Sequence, residues 1–79
     1  MEKGYKGIFS KMGEGLLERF IEDLKKELQE RPQDVELLFK LGIAHSRAGK
    51  TREAMEIYKR LRDLDKDKAK ELLDLIYEA

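Results

Sequence analysis

His45 is the only histidine in the chain, so it is the first residue to test for acid–base or metal chemistry. A metal site would need further nitrogen or sulfur ligands, and the sequence holds no cysteine and no second histidine. A nucleophile would have to lie within hydrogen-bond reach of the imidazole. Ser46 is its neighbour in sequence, but consecutive residues on a helix point about 100° apart and do not face each other. His45 is therefore read as a structural residue in an aromatic packing position. Ser10 and Thr51 read as loop or cap residues. Asp63, Asp65 and Asp67 alternate with other residues in the manner of a calcium loop, yet the glycine and distal glutamate at the required spacing are missing. Their expected work is helix capping and solvation. Gly49-Lys50-Thr51 looks like the tail of a phosphate loop. The upstream glycine of that motif would fall at Ile43 or Ala44, and no strand precedes it. Arg47, Lys50, Arg52, Lys59, Arg60 and Arg62 form a locally basic stretch without stacking aromatics among them, which predicts a solvated face. The chain is read as a non-enzyme with no cofactor, no metal and no small-molecule substrate.

Composition narrows the partners. Lysine plus arginine and aspartate plus glutamate each number 17 in 79 residues, so the formal net charge is zero. Nucleic-acid binders usually carry a basic excess, and so do proteins dedicated to anionic membranes. Neither partner is expected. Charged residues are 43% of the chain, dominated by Glu and Lys, with no asparagine. That balance suits helices laced with surface ion pairs and points to a thermophilic or designed sequence. The lack of cysteine fits a reducing compartment. No apolar run approaches the roughly 18 residues needed to span a bilayer, and no secretory signal opens the chain. The expected location is cytoplasmic.

The elements that would carry any site are helices, since no strand signal occurs. Residues 1–13 hold Gly4, Gly7 and Gly13, each weakening a helix by about 1 kcal/mol relative to alanine. Tyr5, Ile8, Phe9 and Met12 nonetheless fall at helical spacing, so this segment is read as flexible or frayed, ordering on contact. Residues 14–79 form the domain. Leu16, Leu17, Phe20, Ile21, Leu24 and Leu28 make one apolar stripe, with Glu22 and Lys26 as an i,i+4 pair on the other face. Pro32 stops this helix near Glu30. Asp34 is placed to cap a second helix that carries Leu37, Leu38, Leu41, Ala44, His45 and Ala48 and ends at Gly49. Thr51 is placed to cap a third, with Ala54, Met55, Ile57, Tyr58, Leu61 and Leu64. Asp67 is placed to cap a fourth, with Ala69, Leu72, Leu73, Leu75, Ile76 and Tyr77. Connections of three or four residues make neighbours antiparallel. The fold class is all-α: about four helices in antiparallel helix-turn-helix order.

Gly42 interrupts the second helix at a point where glycine is unfavourable unless a neighbouring helix comes close. Leu38, Leu41, Gly42, Gly49, Ala54, Tyr58 and Leu61 together resemble the tetratricopeptide repeat, a helix–turn–helix unit of about 34 residues. The full unit runs from Val35 to Lys68. One period earlier, Gly15 matches Gly49 and Pro32 takes the family's terminal proline position. One period later, Leu72 and Leu75 match Leu38 and Leu41. His45, Leu61 and Lys66 replace the family's usual tyrosine, alanine and proline. The resemblance covers one full repeat and two partial ones.

In that family the first helices of successive repeats line a groove that receives a peptide or helix. The resemblance therefore implies Phe39 and Ile43 as groove residues, followed by Leu73 and Tyr77, with Tyr5 and Phe9 on the leading segment. Family members that clamp a peptide's terminal carboxylate use lysine and asparagine where Phe39 and Ile43 stand, so that ligand is not expected. Independently of the family, Phe39 and Ile43 form a second apolar stripe beside Leu38, Leu41 and Ala48, and a second stripe requires a cover. The cover is a partner protein, the segment containing Tyr5, Ile8 and Phe9, or both in turn. The expected function is protein–protein interaction in an apolar groove. The alternatives are a structural homodimer (or a designed or fragmentary repeat scaffold without a separate ligand) and an interfacial membrane contact by residues 3–17.

Overall fold

The computed structural model of the chain describes residues 14–78. The reading of residues 1–13 as frayed falls outside them. The described residues form four helices and no strand: α1 (Glu14–Glu30), α2 (Val35–Arg47), α3 (Thr51–Leu64) and α4 (Lys66–Glu78).

α1 buries Leu17, Ile21, Leu24 and Leu28, spaced four, three and four apart, which is one stripe of a helix. Leu16, expected on that stripe, is 62% exposed. The helix closes with Arg31 N–H donating to the Glu27 carbonyl at 3.0 Å, after which Pro32 turns the chain. The ion pair that forms on its surface is Glu22–Lys25 at 3.8 Å, in place of the expected Glu22–Lys26. Asp34 then caps α2: its Oδ1 accepts from the Leu37 N–H at 3.0 Å.

α2 ends in a tight reversal. Gly49 takes φ +78°, a left-handed conformation that costs glycine little. Gly49 N–H donates to the Ser46 carbonyl and Lys50 N–H to that of His45. The turn lies one residue earlier than expected, so Lys50 becomes the cap position of α3 and Thr51 its first helical residue, with no side-chain cap bond. The last connection is shorter still. Asp65 alone links α3 to α4, and its Oδ1 accepts from the Lys68 N–H at 3.0 Å. The cap is thus Asp65 and not Asp67.

α2 is the centre of the domain and packs against each of the other three helices, while α3 also packs on α4. α1 makes no comparable packing with α4. A closed four-helix bundle would join its first and last helices. Here the layers stay open, as in a repeat stack. Register confirms the direction. Lys68 Nζ lies 3.9 Å from Glu36 and 4.5 Å above the Phe39 ring, while Leu72 meets Gly42 further along both helices. α2 and α4 therefore run parallel, as equivalent helices of successive repeats must.

Candidate functional site

Phe39 and Ile43 were expected on an open groove, and the structure places them under cover. Phe39 is 0% exposed and Ile43 1%, and both belong to the continuous core. Lys68 reaches across from α4 and sets its ammonium over the Phe39 ring, a favourable cation–π geometry. The same lysine is held by Glu36 and Glu71. No side chain of the second stripe on α2 is available to a visitor in this conformation. Tyr5 and Phe9 lie outside the described residues.

Leu73 and Tyr77 behave differently. They lie on α4, which runs parallel to α2. α4 buries Ala69, Leu72 and Ile76 inward. Leu73 and Leu75 flank that stripe half-buried, and Tyr77 is 75% exposed. Leu73 and Tyr77 are one turn apart on one side of the helix, the first half-buried and the second exposed.

A second concave feature was missed by sequence reasoning. A cleft of about 370 Å³ opens between α1, α2 and α3, lined by Lys25, Leu28, Gln29, Pro32, Leu41, His45, Ile57 and Arg60. His45 is nearly sealed, and its Nδ1 has no hydrogen-bond partner among the described residues. Burial lowers its pKa below the ordinary imidazole value, Lys25 and Lys50 lower it further, and Glu53 opposes them. The ring is neutral at pH 7. Arg60 Nη2 donates to the Pro32 carbonyl at 3.1 Å, which fixes the guanidinium at the cleft rim.

The basic stretch is solvated except at Arg47, which is half-buried, with its Nε buried and without a hydrogen-bond partner among the described residues. Lys50, Arg52, Lys59, Arg60 and Arg62 are exposed, and Arg62 lies over the Tyr58 ring at 5.6 Å. Among the described residues no three acidic or histidine side chains converge on a metal position, and no helix is long and apolar enough to cross a membrane.

Comparison with family models, curated proteins and solved structures found no match. The likeness to the tetratricopeptide repeat rests on the residues quoted above and on the open, parallel arrangement of α2 and α4.

Proposed function

We propose that the chain is a non-enzymatic protein-interaction module that takes an apolar helix of a partner against the outer face of α4, at Leu73 and Tyr77. One observation carries this reading: Phe39 and Ile43 are sealed on α2, whereas on α4 Leu73 is half-buried and Tyr77 stands exposed beside it. A helix laid beside α4 would cover them as α4 itself leans on α2. Tyrosine suits such a role, because a large ring gives contact area at little entropic cost while its hydroxyl stays wet. The family resemblance supports the same reading. Absence of cysteine and the Glu- and Lys-rich composition suit a cytoplasmic, thermophilic setting, and these are part of the proposal.

The test is a display selection of amphipathic helices against the folded chain, followed by affinity measurement on variants. Binders should lose roughly thirtyfold in affinity on Tyr77→Asp or Leu73→Asp, about 2 kcal/mol for a central anchor. Helix content should be unchanged. A selection that yields only binders indifferent to both substitutions removes α4 as the docking face.

A further inference from the structure

The cleft between α1, α2 and α3 plays no part in the α4 face. Its volume of about 370 Å³ falls at the small end of ligand clefts. Leu28, Leu41 and Ile57 provide an apolar floor, and all three are buried. Lys25 and Arg60 stand at its walls with Gln29, and none of its eight lining residues is acidic. The imidazole adds a directed donor. A proton on the sealed Nδ1 would be a bare buried N–H, costing about 1–3 kcal/mol, so the neutral ring carries its proton on Nε2. His45 is one of the residues that line the cleft. Arg60 gives only Nη2 to Pro32, leaving the rest of its fork for an acceptor. Among the described residues Lys25 pairs with Glu22 at 3.8 Å, through exposed atoms, which is a weak competitor.

We infer that this cleft binds a small carboxylic acid with an apolar body. Its carboxylate meets His45 Nε2–H, Arg60 and Lys25, and its tail lies on Leu28, Leu41 and Ile57. An acid fits better than a neutral or cationic ligand of the same shape, because every charged wall residue is a cation and the floor cannot accept a polar tail. The charged groups that bear on His45 are Lys25 from α1, Lys50 from the turn and Glu53 from α3, and Arg60 of α3 lines the same cleft.

The experiment is a nuclear magnetic resonance titration of the full chain at neutral pH with 3-phenylpropionate, octanoate and 3-phenylpropionamide. The two acids distinguish an aromatic from an aliphatic preference. The expected result is saturable shifts confined to Lys25, His45, Arg60 and the methyls of Leu28, Leu41 and Ile57, at about 1 mM or below. The amide should bind roughly tenfold more weakly, the equivalent of one charge-assisted hydrogen bond. Bound acid should raise the midpoint of the His45 titration. Lys25→Gln and Arg60→Gln should each weaken the acid several-fold with unchanged thermal midpoint. Lys25 is exposed, so it carries the test if Arg60→Gln disturbs the fold. Tyr77→Asp should leave acid binding as it is, which separates this site from the α4 face. Equal binding of acid and amide would reduce the cleft to an apolar hollow and overturn the inference. Shifts elsewhere, or none at roughly ten times that concentration, would do the same.

Discussion

The δ-methyls of Leu72 lie 2.6 and 2.9 Å from the point where a Cβ on Gly42 would stand, and Ile57 Cγ2 lies 3.3 Å from it. Gly42 is thus the seam where α2, α3 and α4 come together. Alanine there would gain about 1 kcal/mol of helix propensity but force Leu72, which has no free space, to move. Overpacking of this kind costs about 1–3 kcal/mol, so Gly42→Ala should be net destabilising by roughly 1 kcal/mol. In a Leu72→Ala background the same substitution should become neutral or stabilising. Urea unfolding of the four members of the cycle measures the coupling, and additive effects would place the seam elsewhere.

Phe39 is a core residue in this conformation, which fixes what its substitution does. Phe39→Ala should cost about 3–5 kcal/mol, comparable with the roughly 3–5 kcal/mol that a core of this size supplies. Phe39→Glu would also bury a carboxylate and should abolish the cooperative transition. Far-ultraviolet circular dichroism reads both. A Phe39→Glu chain that keeps full helix content and a native midpoint would show that the cover over Phe39 is dispensable.

His45 links stability to pH. Its folded pKa lies below its ordinary value of about 6.5, so the unfolded chain takes up the proton more readily. Stability is then complete above that ordinary value and falls as pH drops through the folded pKa. The thermal midpoint should decline between pH 7 and 5 by more than in His45→Phe, where the buried, unpartnered Nδ1 is also gone. Identical pH profiles for the two proteins would remove His45 as the cause.

Two caps make a matched comparison. Asp65→Ala removes the acceptor for the Lys68 N–H and should cost about 1 kcal/mol. Thr51→Ala removes no cap bond and should change stability by under about 0.5 kcal/mol. Chemical denaturation of both variants checks the order, and a reversal would restore Thr51 as the cap.

That comparison shows where a sequence stops being readable. Leu17, Ile21, Leu24 and Leu28 announce α1 because burial follows their spacing directly. Pro32, Asp34 and Gly49 place two boundaries through a fixed φ, a side-chain cap and a left-handed turn, each a local property of the residue itself. The choice between Asp65 and Asp67 depends on how tightly α3 and α4 meet, a tertiary quantity. Phe39 and Ile43 were legible as a second apolar stripe, but periodicity does not say whether a stripe is covered. The cleft beside His45 depends on how three helices meet, which no spacing of letters records.

Tyr77 tests whether the open face of α4 meets another copy of the chain. Its side chain is three-quarters in water, so Tyr77→Asp removes little packing and should change stability by under about 0.5 kcal/mol. Two chains pairing through Leu73 and Tyr77 in a two-fold arrangement would place each Tyr77 against its symmetry mate's helix, and an aspartate there would meet its own copy and repel it. Sedimentation over a wide concentration range should give a monomer for both wild type and variant if the face is kept for a different partner. A wild-type dimer that Tyr77→Asp dissociates would instead assign the face to self-association. In that case the helices selected by display should compete with dimerisation, because both would need the same two side chains.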